Sequence, residues 1–320
     1  MKSLIGYTGF VGSNLDLQIN FDKKYNSKNI SEIRGEEFEE LYCAGVSAVK
    51  WFANQNPDKD ILGINNLIEN LKEVKVKRFI LISTIDIYDK LGEVNEDSVP
   101  DVENQDTYGK NRYFLENWVK ENFEDYLIVR LPALFGDGLK KNFIYDLINP
   151  IPSSIVLKKW IELKENLTKE NFSKLEAVYF KDENNNYNFN KKIDLKTKQD
   201  VEEILRDYGF TSLSFTDSRS YFPFYYLNNL EKDINIALKN NVKTLNLSVE
   251  PLTCKELAKE VFNLEVNNCI ENREPVKYDM KSKFYNLYNG ANGYLYNKKE
   301  TINFLKEFVQ KELKSETSNI

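Results

Sequence analysis

Gly6-Tyr7-Thr8-Gly9-Phe10-Val11-Gly12 follows a short apolar segment, Ser3–Ile5, near the start of the chain. Glycines spaced three apart suit a tight turn from a strand into a helix, because glycine adopts backbone angles closed to other residues and lets the main chain approach a ligand. The N–H groups at the start of such a helix face a phosphate. The stretch therefore predicts a βαβ unit that holds the pyrophosphate of a dinucleotide.

The composition of the 320 residues excludes several functional classes. The formal net charge is −6 and there is no basic block, so nucleic acid is not expected as a partner. The apolar stretches are too short to cross a membrane, and no signal peptide is expected. Three widely separated cysteines, Cys43, Cys254 and Cys269, suit reduced thiols and predict a cytoplasmic protein.

The chain contains no histidine. This excludes histidine-based triads, histidine metal sites and a histidine general base. No metal is expected, and acid–base chemistry must come from Tyr, Lys, Asp, Glu, Cys or a bound cofactor.

Strand and helix patterns alternate in the first half of the chain. The apolar runs Phe79–Ile82 and Leu127–Val129 suit strands buried on both faces of a parallel sheet. The expected strands are Ser3–Gly6, Asn20–Tyr25, Glu40–Ala44, Arg78–Ser83 and Tyr126–Leu131, with helices at Ile61–Lys72 and Tyr108–Phe123. This alternation predicts an α/β fold built on a Rossmann-type, doubly wound parallel sheet.

The pattern changes after Pro150. We expect a dinucleotide-binding domain at 1–150 and a smaller, mostly C-terminal α+β substrate domain at 151–320, with part of 227–262 packing back on the first. The expected elements are helices at Lys158–Glu176, Leu227–Leu238, Thr253–Phe262 and Lys299–Lys314, a strand at Val242–Leu247 and an exposed excursion at Lys181–Thr197. Nothing in the sequence assigns a role to the insertion at 158–215.

Tyr108 and Arg112 lie one helical turn apart and therefore share a face. A phenol titrates near 10, and a cation beside it lowers that pKa and makes it a better base. The alternative is an ordinary helix in which Tyr108 packs and Arg112 is solvated.

Ser83 and Thr84 end a buried strand, which places them at the carboxyl edge of the sheet, where ligands of α/β folds bind. Thr84 can donate a hydrogen bond to a substrate oxygen or to the Tyr108 phenolate. The alternative is that both hydroxyls only satisfy backbone groups at the strand end.

The chain resembles the extended short-chain dehydrogenase/reductase family, which holds nucleotide-sugar epimerases, dehydratases and reductases. The resemblance rests on four motifs that occur in the family's order: Gly6–Gly12, Ser83–Tyr88, Tyr108 with a cation four residues later, and Val129–Gly136. The resemblance covers about residues 1–148 and returns weakly over 227–262. It implies that Tyr108 is the catalytic acid/base and that Thr84 is its hydroxyl partner. The implied cofactor-binding residues are Gly6, Gly9, Phe10, Val11, Gly12, Ala44, Gly45 and Ser83.

Several positions depart from the family pattern. Arg112 stands where the family has Lys, and although arginine keeps the charge it cannot join a proton relay. Ala133 replaces the Asn that contacts the substrate diphosphate in many members. Only Asp86 remains of the paired acidic residues of dehydratases, which disfavours dehydration.

The choice between NAD and NADP depends on the residues after the second strand. Ser27 and Lys28 stand there instead of an acidic residue. A hydroxyl and a cation suit a 2′-phosphate, so the sequence favours NADP slightly; the alternative is that Lys28 is only a surface charge.

The substrate-side candidates come from loops at the open edge of the fold, and each is otherwise a surface or packing residue. They are Lys50, Trp51, Asp86, Lys140, Lys141 and Arg219. Lysine or arginine there could meet a phosphate or a carboxylate.

These patterns together predict an NAD(P)-dependent oxidoreductase or epimerase that acts on a nucleotide-linked sugar. Tyr108 would assist the hydride transfer as acid or base. Arg112 would lower the Tyr108 pKa and orient the nicotinamide ribose. One alternative is a dinucleotide-binding sensor or scaffold without catalytic activity. The other is a reductase or isomerase that acts on a small molecule without a nucleotide. The resemblance also implies a homodimer formed through Ile61–Lys72 and Tyr108–Phe123.

Overall fold

The computed structural model describes residues 1–90 and 92–318. The strands are β1 (Lys2–Ile5), β2 (Lys23–Tyr25), β3 (Glu37–Cys43), β4 (Lys75–Thr84), β5 (Tyr126–Leu131), β6 (Ala133–Phe135), β7 (Ser154–Ile155), β8 (Tyr179–Lys181), β9 (Tyr187–Phe189), β10 (Tyr221–Phe222), β11 (Phe224–Tyr226), β12 (Thr244–Asn246) and β13 (Leu252–Thr253). The helices are α1 (Phe10–Gln18), α2 (Lys50–Gln55), α3 (Pro57–Leu71), α4 (Thr107–Asn122), α5 (Phe143–Ile148), α6 (Leu157–Asn166), α7 (Lys169–Glu176), α8 (Leu195–Asp207), α9 (Leu230–Lys239), α10 (Cys254–Phe262) and α11 (Lys298–Ser318).

A six-stranded sheet in the order β12-β5-β4-β3-β1-β2 forms the centre of the first half, and its neighbouring strands pair in parallel. Successive residues of β4 point to opposite faces. Ile80 packs on one side with residues of α1 and α9, whereas Phe79 and Leu81 pack on the other with residues of α3 and α4. The near-continuous apolar run in β4 is therefore explained by burial on both faces, and the doubly wound α/β fold is confirmed.

The chain divides into two compact units, the first formed by residues 1–139, 221–252 and 277–320 and the second by 140–220 and 253–276. The sequence predicted a boundary at residue 150 and a return to the first domain only for part of 227–262, whereas the first unit takes in 221–252 and 277–320. The reason is structural: β12 pairs with β5 as an edge strand of the sheet. In the same unit, α9 buries Leu230 and Ile234 against the sheet. Much of the chain after residue 220 thus completes the Rossmann-type unit.

The second unit combines helices with a small antiparallel sheet in the order β7-β9-β8. Its core holds Trp160, whose ring stacks on Tyr187 with 4.1 Å between ring centroids. The expected excursion at Lys181–Thr197 is the β8–β9 hairpin followed by the start of α8. Thr253 caps α10 through a reciprocal capping box with Glu256, as its sequence predicts.

Within the described part of the chain, no helix is both long enough and apolar enough to cross a membrane.

Candidate active site and cofactor site

The glycine turn lies at the carboxyl end of β1 and is packed too closely for side chains. Gly6 has a φ of +88°, and a Cβ added there would lie 2.4 Å from the Ala44 carbonyl oxygen. A Cβ on Gly12 would lie 2.0 Å from the Gly6 carbonyl oxygen. Only glycine fits at these two positions, so the turn keeps its main chain exposed to a ligand.

The start of α1 is open to an anion. Gly9 is its N-cap residue, and no side chain in the described structure caps this end. The N–H groups of the first helical turn have no partner inside a helix, and the helix dipole is positive there. Phe10 and Val11 are half-buried and pack against the apolar core behind the turn. The turn therefore fits a dinucleotide pyrophosphate.

The loop that follows β2 lies beside this turn. Asn26 donates its amide to the Tyr7 hydroxyl at 3.1 Å. Ser27 and Lys28 come next and are exposed. Ala44 and Gly45 follow β3 at the same sheet edge, which places the predicted cofactor residues around one turn.

Tyr108 is held at the start of α4, also at the carboxyl edge of the sheet. Asp106 caps this helix by accepting a hydrogen bond from the Gly109 N–H at 2.9 Å. A Cβ on Gly109 would lie 2.0 Å from the Asp86 carbonyl oxygen, so this glycine lets α4 approach the end of β4 closely. The close approach brings Tyr108, which is only 7 % exposed, to Thr84.

Burial raises the pKa of Tyr108, and this effect is larger than the opposing charge of Arg112. Asp86 raises it further, whereas a hydrogen bond with Thr84 and the charge of Lys50 lower it. The expectation that Arg112 lowers this pKa holds for its own contribution but not for the net result. In this state Tyr108 is held as the neutral phenol, an acid ready to donate a proton.

Arg112 is buried and occupied by other partners. Its guanidinium lies 4.2 Å from the centre of the Tyr108 ring, over the ring face. Its two terminal nitrogens bind the Asp60 carboxylate and the Ser47 carbonyl oxygen, and Asn111 also donates to Asp60 at 2.9 Å. Its expected role of orienting the nicotinamide ribose stays a prediction.

Lys50, from α2, lies where the sequence suggested a substrate contact, but it is held in a cluster beside Tyr108. Its Nζ is 2.7 Å from Asp86 Oδ1 and 3.1 Å from Asp106 Oδ2. Tyr278 donates its hydroxyl to Asp86 Oδ1 at 2.9 Å, and Thr84 Oγ1 lies 3.3 Å from Asp86 Oδ2. The Asp86 carboxylate is therefore contacted by three side chains, the Lys50 ammonium and the hydroxyls of Tyr278 and Thr84.

The charges of this cluster stabilise one another. Burial acts to lower the pKa of Lys50, but Asp86 and Asp106 outweigh it and the pKa is raised. Burial acts to raise the pKa of Asp106, but the Gly109 N–H and Lys50 outweigh it and the pKa is lowered. Burial, with Asp86, raises the pKa of Tyr278 to about 12.

Ser83 was expected near the cofactor, but its hydroxyl serves a buried ion pair. It donates to Glu116 Oε1 at 2.6 Å, and Arg130 Nη2 lies 2.7 Å from Glu116 Oε2. Arg130 also donates to the Tyr88 hydroxyl at 2.6 Å. This network joins β4, β5 and α4, so the arginine of the fourth motif is structural.

Of the remaining substrate candidates, one lies in the first unit and three lie in the second. Trp51 is 62 % exposed on α2. Lys140, Lys141 and Arg219 belong to the second unit, where Arg219 is paired with Asp217 at 2.7 Å. Within the first unit, the structure brings Thr84, Asp86, Lys50 and Tyr108 together at the same sheet edge as the glycine turn.

Three residues that contact this cluster were not predicted from the sequence. Tyr278 lies in a loop 170 positions after Tyr108 and carries no local signal. Asn54 accepts a hydrogen bond from the Tyr108 N–H at 3.0 Å. It lies four residues after Lys50 and so shares its helix face. Asp106 was findable, since Asp directly before a helix is a capping signal.

Comparison with known proteins identifies the cofactor class. Residues 36–147 match the model of an NAD(P)H-binding family. No curated protein matches the chain in sequence. Among the described residues, no group of three or more Cys, Asp or Glu side chains could hold a metal ion.

Solved structures share the fold at low sequence identity. The dTDP-4-dehydrorhamnose reductase of Clostridium acetobutylicum is 17% identical, with a TM-score of 0.59 over 97% of this chain and 99% of that one. The corresponding reductase of Bacillus anthracis, complexed with NADP, is 16% identical, with a TM-score of 0.59 over 97% of each chain. A UDP-glucuronic acid 4-epimerase variant of Bacillus cereus, complexed with NAD, is 14% identical, with a TM-score of 0.58 over 97% of this chain and 99% of that one.

The family-model match begins after the glycine turn, and the solved structures share the fold. The chain therefore carries an NAD(P)H-binding segment at 36–147 and has the Rossmann-type fold of these reductases and of the epimerase.

Proposed function

We propose that this protein is an NAD(P)-dependent reductase or epimerase that acts on a nucleotide-linked sugar. The observation that carries the proposal is the placement of a buried Tyr108 and its partner Thr84 at the same sheet edge as the open glycine turn. The sugar-nucleotide enzymes with the same fold support the substrate class.

The chemistry divides between cofactor and protein. A nicotinamide dinucleotide, when bound, supplies the hydride donor or acceptor. Gly6, Gly9 and Gly12 would hold its pyrophosphate, and Lys28 beside Ser27 suits a 2′-phosphate, which favours NADP. Tyr108 gives a proton to the substrate oxygen during reduction and takes it back during oxidation. Burial keeps Tyr108 protonated, which suits the reducing direction.

The second unit offers a place for an anionic substrate group. A surface cavity of about 590 Å³ is lined by two arginines, Arg219 and Arg273, and by two glutamates, Glu271 and Glu274, among others. Two guanidinium groups at one cavity suit a diphosphate, which they can bind through paired hydrogen bonds. We propose this unit as the substrate domain, with Arg219 as one of its phosphate contacts.

The direct test replaces Tyr108 with Phe. NADPH or NADH oxidation is followed with a panel of nucleotide-linked keto sugars, and cofactor affinity is measured separately by calorimetry. We expect the variant to lose activity by about a hundredfold or more while its cofactor affinity is unchanged. Tyr113→Phe on the same helix is the matched control. Wild-type turnover that survives in Tyr108→Phe contradicts the proposal.

A second candidate function is a cofactor-binding sensor or scaffold without catalysis. It is favoured by Arg112, which is committed to Asp60 and Ser47 where the family has a lysine. Under this reading the wild type binds cofactor but oxidises none of it with any nucleotide sugar or free sugar in the panel. Turnover by the wild type excludes it.

We also propose a homodimer formed through α3 and α4. These helices pack against each other, and each exposes a large apolar side chain, Leu62 at 67 % and Phe114 at 44 %. Light scattering at micromolar concentration tests this. A dimer that becomes a monomer in Leu62→Glu supports the proposal, and a monomeric wild type contradicts it.

A further inference from the structure

We propose that Tyr108 exchanges its proton with solvent through Thr84 and Asp86, and that Lys50 and Tyr278 hold Asp86 in place for this task. The inference rests on the proposed function and names residues beyond it. A hydride transfer enzyme that uses a tyrosine must return that tyrosine to its starting protonation state in every turnover. The structure shows how this chain can do so without a lysine four residues after the tyrosine.

The arginine at position 112 cannot serve. Arginine does not release its proton in proteins, and Arg112 is buried against Asp60 and Ser47 with its charge on the face of the Tyr108 ring. A proton that leaves Tyr108 therefore needs another route.

The hydroxyl of Thr84 provides the first step of that route. Thr84 lies beside Tyr108 at the carboxyl edge of the sheet, and its Oγ1 is 3.3 Å from Asp86 Oδ2. A hydroxyl can accept one proton while it donates another, so Thr84 connects the phenol to the carboxylate. The Asp86 backbone N–H also donates to Thr84 Oγ1 at 3.1 Å, which fixes the two side chains relative to each other.

Asp86 provides the second step. Its other oxygen, Oδ1, is bound by Lys50 at 2.7 Å and by Tyr278 at 2.9 Å, so Oδ2 is the oxygen left to face Thr84. The Asp86 side chain is 18 % exposed, which gives it access to water. The carboxylate can therefore pass a proton between the buried hydroxyls and solvent.

The proton balance closes in both directions. In oxidation the Tyr108 phenol first gives its proton to Thr84 Oγ1 while Thr84 gives its own to Asp86 Oδ2, and the neutral carboxyl releases it to water. The substrate O–H bond then breaks and the phenolate takes that proton, which restores the phenol. In reduction the same steps run backwards. The two electrons leave or enter the substrate with the hydride, so Thr84 and Asp86 carry protons only.

The test combines a spectroscopic measurement with turnover in Asp86→Asn. Tyrosine labelled with ¹³C at Cζ reports each phenol, and loss of one signal in Tyr108→Phe assigns Tyr108. Removing the Asp86 charge should lower the Tyr108 pKa, because that charge raises it. Electrostatics alone would then leave turnover unchanged or faster, whereas loss of the relay should lower kcat about tenfold or more, with an unchanged cofactor affinity.

Two further measurements keep the inference falsifiable. Asp125→Asn is the control, since Asp125 is also paired with two cations, Arg78 and Lys243, but precedes β5 at the opposite sheet edge. Formate added to Asp86→Ala should restore part of the lost rate by taking over the proton transfer. An Asp86→Asn variant with full turnover, or with an unchanged Tyr108 signal, overturns the relay. If the wild type shows no turnover, the proposed function is contradicted instead. The pKa of Tyr108 measured in the wild type and in Asp86→Asn then still shows whether Asp86 is coupled to Tyr108.

Discussion

At the scale of single residues, the site shows what a local motif can and cannot predict. Tyr108 and Thr84 could be predicted as site residues because each stands in a short pattern on one element. The partners of Asp86 were not, since Lys50 and Tyr278 are 228 positions apart and meet only in the folded chain. Arg112 was predicted as a catalytic residue from its spacing to Tyr108, whereas its partner Asp60 carries no local signal.

The first prediction concerns Arg112 as a structural residue. Its ion pair with Asp60 is almost fully buried, so Arg112→Met leaves a buried carboxylate without its cation. We expect the free energy of unfolding in urea to fall by about 3–5 kcal/mol, and less in Arg112→Lys. In Arg112→Met/Asp60→Asn the loss should be smaller than the sum of the two single losses. Strictly additive losses would show that the pair is not coupled.

At the scale of elements, the sequence predicts the Rossmann-type unit well. Tyr126–Leu131 is a strand as predicted, and the Thr253 cap begins a helix where expected. The strand expected at Asn20–Tyr25 is shorter, Lys23–Tyr25. Strands that are buried in the sheet have a clear apolar pattern. The hairpin of the second unit has none, because all but one of its six strand residues are exposed or half-exposed.

The second prediction concerns Asp233 on α9, which is fully buried against the sheet. Its carboxylate accepts hydrogen bonds from Tyr225 at 2.7 Å and Tyr296 at 2.8 Å. Burial raises its pKa from 3.8 to about 6 despite these bonds. The folded state thus binds a proton that the unfolded state has lost, so this contribution to stability is full below pH 4 and disappears as the pH rises through 6.

The difference in pKa corresponds to about 3 kcal/mol. Asp233→Asn should abolish that part of the pH dependence, so that the variant gains stability relative to the wild type between pH 4 and pH 7. Urea unfolding at a series of pH values measures this. Asp16→Asn, which changes a half-buried carboxylate paired with Lys24, is the control. Parallel curves for Asp233→Asn and the wild type would show that Asp233 is not the group responsible.

At the scale of the whole molecule, the sequence located the cofactor unit but not its full extent. The first 139 residues carry the motifs, while 221–252 and 277–320 complete the same unit with few of them. Tyr278 comes from this late part, so the Tyr108 cluster is assembled from both ends of the chain. Motif order could not reveal this, because the contribution of the late segments depends on tertiary contacts.

The central claim is that the Gly6–Gly12 turn holds a nicotinamide dinucleotide beside Tyr108. The most direct measurement is a calorimetric titration of the cofactor-free protein with NAD, NADH, NADP and NADPH, repeated with Gly12→Ala. The control is Gly63→Ala, an exposed helical position with open space around it. We predict that the wild type and Gly63→Ala bind NADPH more tightly than NADH, and that Gly12→Ala, whose Cβ would meet the Gly6 carbonyl, binds neither. No binding of any form to the wild type, or equal binding to Gly12→Ala, would contradict the account.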